Sequence, residues 1–262
     1  MNTAQRPRAE RQPAVFIAHG APFLLDDTEW VNQLHSWSQS MARPKAVLML
    51  SAHWDQLPLQ IGATRTVPLV YDFYGFPERY YKVQYASPGA PELAARVREL
   101  LRAGEIAFAE SPERGLDHGA YVPLIAMYPE ADVPVLQISL PGLSPQALFT
   151  LGQKLAPLRD EGVLIAGSGF LTHNMSAFMA TTPQWASEFD AWIGGVLARR
   201  DVDALLDYQA RGPAVHTALP TVEHFVPVIA AMGASADRPE QIAFPITGFM
   251  GGSFTKRSVQ FG

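Results

Sequence analysis

Three apolar segments, each followed by a histidine, constrain the fold of this 262-residue chain more than any other feature. The segments are residues 14–18 before His19, residues 46–50 before His53, and residues 163–166 before the glycine-rich turn that leads to His173. Apolar runs without polar alternation are typical of strands buried on both faces, as in a parallel sheet between helices. We therefore expect an α/β fold: a single domain over residues 14–262, with a central, mostly parallel sheet covered by helices on both faces.

The positions of the histidines indicate where a functional site would form. In an open parallel sheet, ligands bind beyond the carboxyl ends of the strands, and side chains that follow different strands converge there. One histidine by itself is more often a structural residue than a ligand, and we interpret His35, on a predicted helix over residues 27–41, in that way. Several histidines at element ends favour a site for one divalent metal ion. These are His19, His53 and His173 after strands, and His118 and His224 at the predicted starts of helices.

Composition restricts the chemistry of such a site. The chain contains no cysteine, so a metal ion would be held by histidine, aspartate or glutamate, and thiolate chemistry is excluded. A formal net charge of −5 without a basic cluster argues against a nucleic-acid partner. Residues 1–13 are polar and lack the apolar segment of a signal peptide or a membrane anchor. We expect them to be a disordered tail, and we expect a cytoplasmic protein that does not bind membranes.

Two motifs beside these histidines have structural explanations as well as functional ones. Asp117 before His118 is typical of a helix N-cap, and the local residues alone favour that interpretation over a catalytic one. Gly167, Ser168 and Gly169 lack the lysine of a phosphate-binding loop and the full dinucleotide fingerprint, so close packing explains these glycines better. We keep His118 as a candidate because it lies where a loop enters a helix.

The loop over residues 71–77, Tyr-Asp-Phe-Tyr-Gly-Phe-Pro, is rich in aromatic side chains. Such a loop either covers the core or lines a pocket for a flat aromatic substrate, and the sequence favours neither interpretation. If it lines a pocket, we expect Tyr71, Tyr74 and Trp54 to surround the substrate ring.

Periodicity predicts two further elements near the site. Apolar and polar residues alternate over residues 80–85, which is typical of a strand. The apolar residues up to Met232 predict a helix that has Glu223 and His224 at its head.

Six motifs together resemble one known family. They are residues 17–22 (Ile-Ala-His-Gly-Ala-Pro), 50–54 (Leu-Ser-Ala-His-Trp), 71–76 (Tyr-Asp-Phe-Tyr-Gly-Phe), 117–119 (Asp-His-Gly), 167–174 (Gly-Ser-Gly-Phe-Leu-Thr-His-Asn) and 220–225 (Pro-Thr-Val-Glu-His-Phe). Their order and spacing resemble the class III extradiol ring-cleavage dioxygenases of the LigB superfamily, in particular its small bacterial and plant members of the 4,5-DOPA dioxygenase type. The resemblance implies an enzyme that opens the ring of a catechol with O₂ and incorporates both oxygen atoms.

The resemblance also implies roles for individual residues. The residues that match the metal ligands of the family are His19, His53 and His224. His173 matches the acid–base residue, His118 matches a second active-site histidine near the substrate, and Tyr121 replaces a tryptophan in the substrate pocket. Larger relatives use a carboxylate as third ligand, so Glu223 is the alternative to His224. Consecutive helical residues point about 100° apart, so both can hardly bind one ion.

The implied metal is Fe(II), because three protein ligands on one face leave positions open for a bidentate catecholate and for dioxygen. His173 would take a proton from the catechol and later protonate oxygen.

The main alternative is a zinc protein of the same fold that acts as a hydrolase or as a non-catalytic binding module, since Zn(II) accepts the same ligands. A purely structural protein would give no reason for the histidines. We expect a monomer or a homodimer.

Overall fold

The apolar segments form the central strands of the structure. The computed structural model describes residues 10–178, 181–238 and 240–262. In these ranges the strands are β1 (Ala14–Ala18), β2 (Ala46–Ser51), β3 (Leu59–Ile61), β4 (Phe108–Glu110), β5 (Val135–Ile138), β6 (Val163–Gly169), β7 (Ile242–Ile246), β8 (Phe249–Met250), β9 (Phe254–Thr255) and β10 (Ser258–Phe261). The helices are α1 (Thr28–Ser40), α2 (Pro91–Ala103), α3 (His118–Met127), α4 (Pro145–Leu155), α5 (Pro157–Asp160), α6 (Gln184–Ala198), α7 (Val202–Leu206), α8 (Tyr208–Arg211), α9 (Val215–Ala218) and α10 (Pro227–Ala234). Short 3-10 helices cover Pro22–Asp26, Glu78–Lys82 and Met175–Ala177.

Within the described residues, eight strands form one sheet in the order β4-β3-β5-β2-β6-β1-β10-β7, and β8 and β9 form a separate antiparallel ribbon. The central strands β5, β2, β6 and β1 run parallel to one another. Antiparallel pairs join this parallel centre to β3 on one side and to β10 and β7 on the other. The prediction of a single α/β domain with a mostly parallel central sheet is confirmed.

Alternate side chains of the central strands enter two hydrophobic cores, one on each face of the sheet. Phe16 and Leu48 pack in the core that includes α2, α4, α6 and α10, whereas Ile17 and Met49 pack on the opposite face with α1 and α3. All four side chains are fully buried. Burial of each such side chain stabilises the fold by roughly 1.5–3 kcal/mol, which is why these strands show no polar alternation. Helices therefore cover both faces, as predicted.

The parallel centre brings the carboxyl ends of three strands to one edge of the sheet. The strands are neighbours in the order β2-β6-β1. Ser51 of β2 lies opposite Ser168 of β6, and Ala18 of β1 lies opposite Gly169. The N–H of His19 still donates to the carbonyl of Gly169, at 3.3 Å. The residues that follow these strands are therefore held over the same edge.

The strand predicted over residues 80–85 does not form. This region contains the 3-10 helix Glu78–Lys82 followed by irregular backbone. Its two buried tyrosines are anchored by their hydroxyl groups: Tyr80 bonds the carboxylate of Asp26, and Tyr85 donates to the carbonyl of Tyr128 at 3.2 Å. The buried tyrosines at both ends of the segment account for its alternation, and no strand among the described residues pairs with it.

The helix predicted from Glu223 begins later than expected. α10 starts at Pro227, and His224 lies in the turn before it. Proline suits the first turn of a helix because the N–H that it lacks would have no intrahelical partner there. The carbonyl of His224 accepts the N–H of Phe170 at 2.8 Å. The turn that carries His224 is thereby attached to the end of β6.

Of the predicted tail over residues 1–13, residues 1–9 lie outside the described ranges. The side chain of Arg11 donates to three carboxylates, those of Asp160, Asp237 and Glu240, at 2.8–3.1 Å. Gln12 is buried. The prediction of a tail is therefore wrong at these two residues, because their ion pairs and burial fix them to the fold. Among the described residues, no helix combines the length and apolar character needed to cross a membrane.

Candidate metal centre

Five histidines meet at the carboxyl edge of the sheet. They come from the ends of β1, β2 and β6, from the start of α3 and from the turn before α10. The five are His19, His53, His173, His118 and His224. The Nε2 atom of His53 lies 3.3 Å from Nε2 of His19 and 3.2 Å from Nε2 of His224. The structure thus brings together all the histidines that the sequence selected, whereas His35 is exposed on α1.

The tautomer of His19 is set by a serine of β6. Nδ1 of His19 lies 2.8 Å from Oγ of Ser168, and the same hydroxyl donates to the carbonyl of Gly119. Because a hydroxyl group has one hydrogen, the imidazole must be the donor in its bond with Ser168. The proton on Nδ1 leaves Nε2 of His19 with a free lone pair that faces His53.

The same tautomer follows for His224. Its Nδ1 lies 3.0 Å from the carboxylate of Glu223, and an ionised carboxylate only accepts hydrogen bonds. The bond from His224 is the main reason why the pKa of Glu223 falls to about 2. His224 therefore donates through Nδ1 and presents an unprotonated Nε2. Glu223, the alternative third ligand from the sequence, bonds the nitrogen on the other side of this ring.

Asp72 connects two of the histidines. One carboxylate oxygen accepts from Nδ1 of His118 at 2.7 Å and from the backbone N–H of His118 at 3.2 Å. The other oxygen lies 3.2 Å from Nδ1 of His53. Burial alone would raise the pKa of Asp72, but the hydrogen bonds from the side chain and the backbone N–H of His118 and the proximity of His53 outweigh it and lower the pKa to about 2. An ionised Asp72 favours a proton on the Nδ1 atom of both rings.

His173 has different contacts from the other histidines. Its ring stacks on that of His224, with centroids 3.6 Å apart and planes inclined by 5°, and the ring of Phe254 meets it edge-on. Burial, together with the neighbouring His224, lowers the pKa of His173 to about 3. His173 is therefore a neutral imidazole beside the triad, with a position suited to proton transfer.

The residues present fit a bound metal ion. Burial is the largest cause that lowers the pKa of His19, His53 and His224, so all three rings are neutral, the form that binds metals. Nitrogen ligands at about 2.0–2.1 Å from one ion stand roughly 3–3.5 Å apart, and the Nε2 separations of 3.2 and 3.3 Å agree with this. Without a cation, these lone pairs would repel one another. Imidazole donors suit Fe(II) and Zn(II) alike.

Two other groups of potential metal ligands share residues with the triad of His19, His53 and His224. His19, His53 and His118 offer ligand atoms within 4.8 Å of one another, and so do His173, Glu223 and His224. The ring of His118 leans against that of His53, with centroids 3.9 Å apart, whereas His224 and His53 approach through their Nε2 atoms. The direct approach of two nitrogen lone pairs favours His224 over His118 as the third ligand.

Glycines allow the elements that carry the histidines to approach this closely. A Cβ on Gly169 would collide with the carbonyl of His224, and a Cβ on Gly167 would collide with the carbonyl of Pro227. These contacts support the interpretation that the glycines of β6 serve close packing. The N-cap interpretation of Asp117 also holds, since its side chain accepts the N–H of Ala120.

The five histidines border a cavity of about 370 Å³. The rest of its wall is mostly aromatic or apolar and comprises Gly20, Ala21, Pro22, Phe23, Phe73, Tyr74, Phe76, Phe170, Met175, Phe178, Met250 and Phe254. Phe73 and Phe76 meet edge to face at 5.3 Å. Such a wall can hold a flat aromatic ring by offset and edge-to-face contacts.

The aromatic loop contributes to this wall through different residues from those predicted. Tyr74 lies on the wall, together with Phe73 and Phe76. Tyr71 does not, because its hydroxyl donates to the carbonyl of Val83 at 2.6 Å and turns the side chain into the loop. The expectation that Tyr71 lines the ring site is therefore corrected.

Trp54 and Tyr121 also lie outside the cavity wall. Trp54 is buried, with the guanidinium of Arg114 over its ring. Tyr121 is fully buried in the core on the α3 face of the sheet. Neither side chain reaches the cavity, which corrects the expectation that they contact the substrate.

Asp72 and Ser168 are partners of the histidines that the motifs in the sequence do not predict. Ser168 is a polar side chain in a fully buried strand, and such a residue needs a hydrogen-bond partner. A serine in this otherwise apolar or glycine-rich segment therefore indicated a partner for Ser168. Asp72 stands in a loop, where a carboxylate is common, and no pattern in the sequence connects it with His53 and His118.

Comparisons with known proteins agree with the resemblance in the motifs. Residues 13–249 match the family model described as the catalytic LigB subunit of aromatic ring-opening dioxygenase. A Beta vulgaris protein named 4,5-DOPA dioxygenase extradiol is 41% identical over 85% of this chain and 86% of its own. An Escherichia coli K12 protein of the same name is 34% identical over 96% of this chain and 95% of its own.

The fold leads to the same conclusion. A crystal structure of an uncharacterized Escherichia coli K12 protein superposes with a TM-score of 0.82 at 32% identity, over 96% of this chain and all of that one. The family model and these relatives together cover the sheet, the histidines and the cavity. The chain therefore belongs to the LigB family and is an extradiol dioxygenase that opens an aromatic ring with dioxygen.

Proposed function

We propose that His19, His53 and His224 hold one Fe(II) ion and that the substrate is a single-ring catechol. One observation carries the proposal: each of the three rings has its Nδ1 atom bound by a different acceptor, so that each turns an unprotonated Nε2 toward the others. Fixing the far nitrogen in this way orients a metal-binding imidazole and raises its basicity.

A bound Fe(II) would supply coordination positions for both catechol oxygens and for dioxygen. His173 and His118 border the cavity in which the catechol would lie. Neutral His173 is suited to accept the proton of a catechol hydroxyl and to return it to oxygen later in the reaction. His118 donates through Nδ1 to Asp72, so its Nε2 is the nitrogen that can accept a hydrogen bond from the substrate.

The apolar wall adds orientation and the exclusion of water. A catechol ring between Phe73, Phe76 and Phe170 would present its oxygens to the histidines at the bottom of the cavity. Aromatic contacts of this kind contribute about 0.5–1.5 kcal/mol each beyond burial. Excluding water also strengthens the charge interactions of the reacting oxygens.

The test is turnover of a panel of catechols by protein loaded anaerobically with Fe(II). Catechol, protocatechuate, gallate, caffeate and dihydroxyphenylalanine are added before oxygen is admitted. We expect oxygen uptake that depends on the catechol and a ring-opened product that absorbs in the visible. Absence of uptake with every member, together with an unchanged metal spectrum, would reject the proposal.

The second candidate concerns the metal: Zn(II) in place of Fe(II), for which the donor set is equally suited. Three neutral imidazoles without a carboxylate in the triad suit Zn(II) as well as Fe(II). Metal analysis of the protein as isolated, combined with the oxygen assay after Fe(II) loading, separates the two candidates.

We also propose a monomer or homodimer in the cytoplasm. Light scattering after size-exclusion chromatography and fractionation of cells would test these two points.

A further inference from the structure

The wall of the cavity lacks a group that could neutralise a carboxylate. Among the described residues, its ionisable side chains are the five histidines and Tyr74, and it includes no lysine or arginine. The carboxylates of Asp72 and Glu223 bond the far sides of the rings of His118 and His224, and the guanidinium of Arg114 donates to the carbonyl of His53 at 3.4 Å. None of these groups belongs to the wall, so an anionic substituent on the substrate would find no counter-ion there.

The mouth of the cavity is a collar of exposed apolar side chains. Tyr74, Met175 and Phe178 belong to the wall and are nevertheless 92%, 71% and 55% exposed. Large apolar side chains grouped around a cleft mark a surface that a ligand covers. The collar lies where a substituent would leave the cavity if the ring oxygens faced the histidines.

We propose that this enzyme selects catechols whose ring carries an uncharged, apolar substituent that packs on the collar of Tyr74, Met175 and Phe178, and discriminates against a carboxylate at the same place. This inference rests on the proposed function. The relatives are named for DOPA, an amino acid whose carboxylate would need a partner that this wall does not offer.

Two energetic terms act in the same direction. A carboxylate can keep its water at the exposed collar only by staying away from the apolar side chains, so it gains nothing from packing there. Each methylene that the collar covers adds favourable transfer free energy. Together we expect a ratio of kcat/KM of roughly tenfold or more between the apolar and the anionic substrate, since tenfold corresponds to a modest free-energy difference.

The experiment compares three substituents of nearly equal length on the same ring. The substrates are para-butylcatechol, dihydrocaffeate, and the neutral carboxamide of dihydrocaffeate. Oxygen uptake by the Fe(II)-loaded enzyme gives kcat/KM, and calorimetry on the Zn(II)-loaded protein gives binding without turnover. We expect both measurements to rank butylcatechol first, the carboxamide second and the carboxylate last.

Variants of the collar test where the substituent lies. Met175→Ala and Phe178→Ala should lower the ratio of kcat/KM for butylcatechol to kcat/KM for unsubstituted catechol by roughly three- to tenfold. Leu57→Ala is the matched control, because Leu57 is 69% exposed and does not belong to the cavity wall. It should leave this ratio unchanged.

The outcomes distinguish the two proposals. If catechols turn over but the carboxylate is used as well as the carboxamide, or better, the selectivity is refuted while the proposed function stands. An unchanged ratio in both collar variants refutes the packing on the collar. If no catechol turns over, the proposed function fails, and the binding order on the Zn(II)-loaded protein then decides the selectivity: the order above supports it, and an equal or reversed order, or no binding, refutes it.

Discussion

Each proposed ligand is oriented by a different acceptor: a serine hydroxyl for His19, an aspartate for His53 and a glutamate for His224. The acceptors come from three separate parts of the chain, but they have the same effect on the imidazoles. Each acceptor keeps the proton on Nδ1 and leaves Nε2 free. The chemistry of the centre therefore depends on residues that would never touch the ion.

Asp72 provides the sharpest test at this scale, because it bonds both His53 and His118. In Asp72→Asn the side chain keeps its shape but loses its charge. The new amide NH₂ group is a hydrogen-bond donor, and it would face the Nδ1–H donor of either His53 or His118. We expect metal affinity to fall roughly 10- to 100-fold, as is usual when the partner of a ligating histidine is changed. The measurement is a competition titration against a chelator.

Asp203→Asn, an exposed change in the first turn of α7, is the control and should bind metal like the parent protein. Unchanged affinity in Asp72→Asn would mean that His53 does not depend on Asp72 for its orientation.

At the residue scale, the sequence could predict the histidines but only some of their surroundings. His19, His53 and His173 follow buried strands, and the parallel sheet alone determines that they share one edge. The place of Asp72 depends on how a loop without regular structure folds back over that edge. Trp54 was misjudged for a related reason: sequence proximity to His53 does not tell which way a side chain turns after a strand ends.

At the scale of elements, the start of α3 is pressed against the ends of β1 and β2. Gly119 makes this contact possible: a Cβ there would overlap Oγ of Ser51, lie 2.9 Å from Cδ2 of His53 and lie 3.1 Å from Nδ1 of His19. None of these neighbours is the free end of a flexible chain. The helix and both histidines would therefore have to shift together.

Gly119→Ala should destabilise the protein and weaken metal binding. Overpacking costs about 1–3 kcal/mol, which exceeds the gain of at most about 1 kcal/mol that alanine brings to a helix. Thermal denaturation and metal content are the two measurements. In the control Gly142→Ala the new Cβ would lie 3.4 Å from Asp55, an ordinary contact, so both properties should persist. A stable Gly119→Ala protein with full metal content would contradict this view of α3.

The elements that the sequence predicted wrongly lie between the regular ones. Residues 80–85 alternate like a strand, but two tyrosine hydroxyls anchor the segment, and no strand in the described part of the chain pairs with it. α10 begins at Pro227, after the predicted start, because the turn with His224 bonds the end of β6. Both differences come from tertiary contacts that local patterns do not encode, whereas the buried strands and the capped start of α3 are local features and were predicted correctly.

At the scale of the whole molecule, the buried neutral histidines make stability depend on pH. The pKa values of His19, His53 and His224 are lowered on folding, chiefly by burial. Below a pH of about 6.5 the unfolded chain binds protons that the folded protein resists, so stability falls as the pH falls. Asp72 and Glu223, with pKa values of about 2, stay ionised in this range and do not contribute.

We therefore expect the midpoint of thermal unfolding of the metal-free protein to decrease between pH 7.5 and pH 5, with each buried histidine contributing at most about 1.4 kcal/mol per pH unit. Denaturation scans after chelator treatment measure this. His53→Gln should reduce the slope, and His35→Gln, which changes an exposed histidine, should keep it. A midpoint that is constant over this range would show that the histidines are not held neutral.

The metal triad is the central claim, and metal content tests it most directly. The protein, His53→Ala and His173→Ala are loaded anaerobically with Fe(II), freed of excess metal and analysed for iron per chain. We predict about one iron in the parent protein, none in His53→Ala and about one in His173→Ala, whose turnover should fall roughly 10²- to 10⁴-fold because only a proton-transfer group is lost. Full iron content in His53→Ala, or loss of iron in His173→Ala, would contradict the account.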